Sequence, residues 1–512
     1  MPKPSWSGDV SRRIVRRIVV EGDLVLQTPA HFGNGDGDNL VDMPLLTDPL
    51  DGKTPLLTGA SIAGALRGYL REREQGFRGK IDTKGNANAK QPGLASILLF
   101  GSSKSYDYGE QSSLIVEDAH GKDAAIELRD GVRLAGKSHT SAEDALFSLE
   151  MWEAGTTFPL RFELIVRQRD NVSTLKQALA TALAGFADGS ITIGARKRRG
   201  YGQVSVTGWR IKEYDLSDPA QLLDWIENGT QALSVATNPD IARATGVSEL
   251  IADRRHAFRL KADFWLDGSL LIRSGSGPDI EQAGSDDSEI QRPDTMHLHS
   301  RRPASSPGEK RIRRPVLSGT SLTGALRARS LKIARLIAPA TEAGEKTARK
   351  LVDDIFGADM DIAEKPIGSR VHVYEHIVNG VENMSVQNRV SIDRFTGGTR
   401  DGALFNEQPL FGGRQSLVTV DLQLANPQEY EIGLLLLLLK DLWTGDLPLG
   451  GEISIGRGRL GGKDCHLEYQ NGQVQTWDLF ADANGLRMAA GTPQTLELYV
   501  ASLHIYLAGS KS

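Results

Sequence analysis

Apolar positions in this chain fall into a fixed succession of patterns, and the succession occurs twice. Strand-like runs at 14–27 and 258–273 are each followed by a glycine-rich loop and then by an amphipathic helix that starts near Ser61 or Ser321. Serine is a good N-cap at both places, and the Ala, Leu and Arg residues that follow supply helix propensity. Short strands at 113–116 and 370–373, a hairpin-like segment, a second helix at 175–187 or 431–442, and a closing glycine-rich strand complete each copy. The run 434–439 is apolar all round, which predicts a buried helix. Strand, helix, strands, helix, strand is the order of an α+β, ferredoxin-like fold. Both patterns fade in the polar stretch 228–255, so the expected division is a first domain at 1–235, a linker at 236–255 and a second domain at 256–512.

The two copies match residue by residue. Pro55-Leu-Leu-Thr-Gly59-Ala-Ser61-Ile-Ala-Gly64-Ala-Leu-Arg67 aligns without a gap on Pro315-Val-Leu-Ser-Gly319-Thr-Ser321-Leu-Thr-Gly324-Ala-Leu-Arg327, an offset of 260. Phe100-Gly101 answers Phe356-Gly357, Ala145-Leu146-Phe147 answers Ala403-Leu404-Phe405, and the glycine-rich 193–204 answers 449–460, at offsets of 256, 258 and 256. Four collinear matches indicate tandem duplication.

Composition narrows the classes. With 512 residues, 39% hydrophobic and 24% charged, the chain reads as an ordinary globular protein large enough for two sizeable cores. The net charge of −5 and sequence pI of 6.1 carry no global nucleic-acid signature, so any such site must be a local patch. The longest aliphatic run stops at Lys440, far short of the ~18 apolar residues of a membrane span. The start, MPKPSWSGDVSRR, lacks the apolar core of a signal peptide, and the single Cys465 excludes an internal disulfide and a cysteine-rich zinc site. A cytoplasmic protein with no membrane partner is expected. Glycine, at 55 residues, is in excess, so many positions must turn sharply or lie against something.

Three elements offer chemistry. The segment 193–203 sets Arg196-Lys197-Arg198-Arg199 among three glycines; glycines let a backbone approach phosphates, and the cations supply charge-assisted hydrogen bonds, although a tight hairpin has the same sequence signature. Its counterpart keeps the glycines but only Arg457 and Arg459, and Lys463 is followed by Asp464, so this is no Walker A loop. The Gly-x-Ser-x-x-Gly-x-x-Arg elements create helix N-termini that can receive an anion, with Gly59, Ser61 and Arg67, and Gly319, Ser321 and Arg327, as its ligands; plain capping and packing are the alternative, and the commoner use of such a pattern. The loop from His31 to Pro49 holds Asp36, Asp38, Asp42 and Asp48, carboxylates suited to a divalent cation, to general-base work or to simple turns. His372 and His376, and Cys465-His466, have no companions that would complete a metal site.

The ordered set of a His-x-Gly-x-Gly loop, Val41-Asp42-Met-Pro-Leu-Leu-Thr-Asp48-Pro49, Leu57-Thr-Gly59-x-Ser61-x-x-Gly64-x-x-Arg67, Phe100-Gly101, Ser113-Leu-Ile-Val116 and Arg199-Gly200-Tyr201-Gly202-Gln203-Val204 resembles the backbone subunit of type III CRISPR effectors, in the repeat-associated mysterious protein (RAMP) superfamily. Two copies in one chain look like the fused double-backbone subunit of some type III systems. The resemblance implies two ferredoxin-like (RRM-like) domains, each with an extended thumb hairpin. It implies a guide-RNA-binding subunit whose partners are CRISPR guide RNA, single-stranded target RNA, and the large polymerase- or nuclease-like, small and other RAMP subunits. It further implies an endoribonuclease that cuts kinked target RNA with an aspartate of the loop after the first strand, at the position of Asp42, with a divalent cation, Mg or Mn, held by Asp42.

The second copy departs from this pattern. Asp294 is the best equivalent of Asp42, yet stands 21 residues before Pro315, against 13 between Asp42 and Pro55; Asp286 and Asp287 are alternatives. The stretch 275–310, rich in Ser, Asp, Pro and Arg, is expected to be partly disordered. The implied thumbs run from Val132-Arg133 to Phe147 and from Asn388-Arg389, through Asp393-Arg394, to Phe405, with Arg133, Arg389 and Arg394 as RNA contacts. An aromatic content of 6% suits recognition of backbone and shape better than a base-stacking platform. Alternatives are an inactive scaffold in the same complex, a guide-processing endoribonuclease using His31 as general base, and a non-RNA enzyme binding a phosphorylated small molecule at 194–202.

Overall fold

The computed structural model describes residues 12–33, 44–77, 94–101, 111–134, 141–274, 293–303, 311–358, 366–382, 385–482 and 485–509, with the side chains of 132–134 and 141–146 excepted. The first half runs β1 (Ile14–Leu26), α1 (Gly59–Gln75), α2 (Ala95–Phe100), β2 (Leu114–Val116), β3 (Ile126–Leu134), β4 (Ser141–Trp152), β5 (Thr157–Arg167), α3 (Val172–Ala184) and β6 (Val204–Asp215), then α4 (Pro219–Asn228) and α5 (Ile241–Thr245). The second runs β7 (Ala257–Leu270), β8 (Thr295–His297), α6 (Gly319–Ile337), α7 (Glu342–Phe356), β9 (Val371–Val373), β10 (Gln387–Ile392), β11 (Thr399–Gln408), β12 (Val418–Ala425), α8 (Glu429–Trp443) and β13 (Arg459–Asn471), then β14 (Gln473–Asp482), β15 (Gly485–Ala490) and α9 (Pro493–Ala508).

Both halves build the same antiparallel sheet. Its strand order is β2-β5-β1-β6 in the first half and β9-β12-β7-β13 in the second, where β14 and β15 extend it. β5 shows why: alternate residues Phe158, Leu160, Phe162, Leu164 and Val166 point into the core while their neighbours face out. Each such side chain contributes roughly 1.5–3 kcal/mol by leaving water. Helices α1 and α3 close that core with Leu66 and Leu179; α6 and α8 close the second with Leu326 and Leu435. The expected α+β, ferredoxin-like architecture is therefore present twice.

The leucine run is buried, and its all-round apolarity has a cause. Leu434, Leu435, Leu438 and Leu439 face the core, while α9 packs along the other side of α8, where a Cβ on Gly433 would lie 2.2 Å from the Tyr499 carbonyl oxygen. Helix covers helix there. Among the described residues no helix is long and apolar enough to cross a membrane.

Two local expectations change. The N-caps are Thr58 and Ser318, whose side chains accept from the amides of Ser61 and Ser321; the helices begin at Gly59 and Gly319, and the two motif serines lie in the first turn. The polar stretch 236–255 carries α5, whose Ile241 is buried in the first core, and Arg254 N donates to Arg73 O at 2.9 Å, so this segment lies along the first half.

The halves meet through a buried ionic lattice. Arg129 on β3 donates from both terminal nitrogens to the two oxygens of Glu375, 3.1 Å each. Arg302 also reaches Glu375 at 2.6 Å, Ser300 donates to Glu127 at 3.0 Å, and Arg301 pairs with Glu153 at 3.0 Å. The two neighbouring guanidinium groups hold the Glu375 carboxyl below its usual range against the opposing effect of burial.

Candidate nucleic-acid interface

The closing strand of each half is entered through a tight glycine turn. In the first, Gly194, Gly200 and Gly202 all have positive φ, and the Gly202 amide donates to Pro29 O at 2.9 Å. A Cβ at Gly202 would come within 1.8 Å of the Ile193 carbonyl oxygen, so only glycine fits. This frame holds Arg196 in the left-handed region and displays Lys197–Arg199 as one 3-10 turn. The Arg196 guanidinium lies 4.2 Å over the ring of Phe147, midway along β4 of the first hairpin.

These cations are gathered against their own repulsion. Burial first, then the Arg198 charge, pushes the Lys197 ammonium below its usual range. Burial, then Arg196 and Arg327, does the same to Arg199. Glu72 is the carboxylate that acts on Lys197. Arg198 donates to Arg370 O at 3.3 Å across the junction. An anion would relieve this repulsion.

The Gly-x-Ser-x-x-Gly-x-x-Arg arginines do something different. Arg67 donates to Gly101 O at 3.2 Å, and Arg327 donates to Gly357 O and pairs with Asp353 at 2.7 Å. Each thus clamps the glycine that ends the neighbouring helix, which joins two of the repeated motifs physically and accounts for their recurrence. Gly319 lies under the Arg199 carbonyl at the junction, whereas Gly59 lies under the Val116 carbonyl of its own half. Arg457 requires a correction: its side chain is 3% exposed and is consumed by Glu407 at 3.0 Å and Glu452 at 2.7 Å, because the second turn is braced by an internal ionic cluster. It cannot serve as an RNA contact from there.

The hairpins β3-β4 and β10-β11 occupy the expected thumb positions. The second displays Arg394 and Arg400 on an exposed tip, with Phe395 95% exposed, while Arg389 pairs with Glu407 at 2.9 Å. The backbone of Arg133 lies in β3; its side chain falls outside the described residues. The sheet face where an RRM-like platform would stack bases is covered in the first half, where Trp225 and Leu233 pack on Val19 and Tyr214.

Asp42, Asp36, Asp38, Asp286 and Asp287 lie outside the described residues, as does most of 275–310. Asp294 is exposed at the start of β8 and accepts from the Asn406 amide of β11 at 2.8 Å, at the base of the second hairpin. The backbone fixes its register. Leu46 N donates to Phe32 O and Leu56 N to Leu46 O; Leu298 N donates to Ile272 O and Val316 N to Leu298 O in the same way. Leu46 and Leu298 are therefore equivalent, and Asp42 and Asp294 each precede them by four residues. The longer spacing to Pro315 arises after Leu298. Among the described residues no three His, Cys, Asp or Glu side chains converge as a metal site.

The histidines and the cysteine have structural surroundings. His31 is 1% exposed, with Nδ1 donating to Glu150 O at 2.8 Å. His372 stacks on Tyr374, and His376 faces Asp421 at 3.5 Å. Cys465 is buried, which raises its thiol pKa, and His466 pairs with Asp478. Sequence reasoning missed the Arg129–Glu375 lattice, whose members are remote in the chain; the alternation Glu127-Leu128-Arg129 was its one local trace.

Comparison with known proteins agrees with the fold. No curated protein matches the chain. A family model described as the RAMP superfamily matches residues 23–205 and again 308–461, one region in each half. With the duplicated sheet, hairpins and glycine turns in place, the chain belongs to the RAMP superfamily, as two tandem RAMP domains.

Proposed function

We propose that the chain is the guide-RNA-binding backbone subunit of a type III CRISPR ribonucleoprotein and cleaves complementary target RNA in antiviral defence. The observation that carries this reading is the Arg196–Arg199 turn, where four consecutive cations, three of them exposed, crowd together beside a hairpin within a RAMP fold. Phosphates of a guide strand would offset the repulsion between these charges. Guide pairing would read sequence, while the protein holds backbone and shape. The other subunits of the complex, the target strand and a cytoplasmic location belong to the same reading.

The chemistry requires placement above all. With the target backbone bent into line, its ribose 2′-hydroxyl attacks the adjacent phosphate, a carboxylate accepts the proton, and the 5′-oxygen leaves and takes up a proton from water. The products are a 2′,3′-cyclic phosphate and a 5′-hydroxyl. Asp42 and Asp294 are the bases of this scheme; the hydrogen bond from Asn406 orients Asp294 beside the hairpin that would bend the strand. A divalent cation would neutralise charge at the scissile phosphate. Asp294 has no two companion ligands among the described residues, so no step is assigned to a cation there. The buried ring of His31 disfavours a guide-processing role for that residue.

Binding of a single-stranded guide RNA to the purified chain, titrated against salt, tests the proposal. Affinity should fall steeply as salt rises, and Lys197→Glu with Arg199→Glu should weaken binding at every sequence. A flat salt dependence contradicts it.

A further inference from the structure

The glycine turn recurs with one backbone shape in both halves. Arg196 and Glu452 take φ of 52° and 58°, and Gly200 and Gly456 close the turns at 87° and 88°. Their surroundings differ. A Cβ on Gly200 would meet the backbone N of Glu375 at 2.6 Å and Val373 O at 3.0 Å, whereas among the described residues one on Gly456 would meet nothing within 4 Å. The seats differ in the same sense. A Cβ on Gly319 would meet Arg199 O at 2.3 Å as well as Val373 O at 2.7 Å, whereas the contacts of Gly59 are the Val116 and Glu117 backbone of its own half. One turn is docked on one seat inside the chain. Among the described residues, the turn at the far end meets no seat, and the nearest neighbours of the seat at Gly59 include no turn.

The open ends do not match each other. The internal turn presents Lys197, Arg198 and Arg199; at the same positions the far turn presents Ile453, Ser454 and Ile455, with both isoleucines 53% exposed. The near seat is rimmed by exposed Glu117 and Asp118. Seating isoleucines there would strip water from carboxylates and return no hydrogen bond.

We propose that the Glu452–Gly456 turn is a docking loop for a RAMP domain on a different polypeptide, one whose strand end and glycine-started helix offer an apolar seat to Ile453 and Ile455. The chain does not stack on copies of itself through this loop. The inference rests on the multisubunit complex proposed above and is independent of cleavage.

The test uses the assembled complex, purified through this chain carrying the photoreactive residue p-benzoylphenylalanine in place of Ser454. The expected crosslink joins position 454 to a peptide of another subunit at a strand end before a glycine-started helix. Crosslinks only to RNA, to this chain's own residues 116–118, or to no protein overturn the proposal. In parallel, Ile453→Asp with Ile455→Asp should lower occupancy of that neighbour by roughly tenfold or more, while the melting temperature and RNA affinity of the isolated chain stay at wild-type values. Unchanged occupancy overturns it, as does concentration-dependent self-association of the wild-type chain that the same pair of substitutions abolishes. A chain that binds no RNA would sink the proposed function and leave the crosslink readout standing.

Discussion

Arg129 and Glu375 face each other fork to fork across the junction of the two domains, with both nitrogen-to-oxygen distances at 3.1 Å and neither side chain more than 3% exposed. A pair this deep fixes the angle between the halves, because neither charge can be left alone in a dry interior. Arg129→Met should therefore destabilise the chain by about 3–5 kcal/mol in chemical denaturation, leaving Glu375 with Arg302 as its remaining partner. A change within about 0.5 kcal/mol would mean that the lattice is not formed in solution.

His297 links stability to pH. Its ring is fully buried, its Nδ1 accepts from Ile272 N and its Nε2 donates to Val316 O, and burial pushes its pKa from 6.5 to about 3. The folded value lies below the unfolded one, so the unfolded chain binds the proton first. The stabilisation is complete above pH 6.5 and is lost on acidification, at up to about 1.4 kcal/mol per pH unit between there and pH 3. His297→Gln should flatten the slope of unfolding free energy between pH 4 and 6, and an unchanged slope would contradict the assignment.

The tip of the second thumb should separate binding from folding. Phe395 is 95% exposed, so Phe395→Ser should leave stability within about 0.5 kcal/mol, yet weaken the grip on a guide–target duplex if the ring meets bases. Thermal melting and filter binding on one preparation read both. Equal loss in the two assays would make the residue structural.

Much of the fold was legible because it depends on local pattern. The alternation in β5 and the unbroken leucines of α8 each state their burial within a few residues, and duplication shows them twice. The sites were harder. Arg67, Arg327 and Arg457 looked like three available cations, but two are tied to helix-ending carbonyls and the third to Glu407 and Glu452, partners that, Glu452 apart, lie 30 to 50 residues away. Ser61 and Ser321 looked like caps because serine favours caps, yet Thr58 and Ser318 hold that position three residues earlier. No periodicity joins Arg129 to Glu375, 246 positions on, so the junction emerges only when the chain is folded.

Target cleavage by the assembled complex tests the central claim most directly, with cut sites mapped for wild type, Asp42→Ala, Asp294→Ala and the double variant. Each single variant should lose its own cut by roughly 100-fold or more and keep the other, and the double should lose both while still binding guide and target. Cutting at every position, undiminished in the double variant, would contradict it.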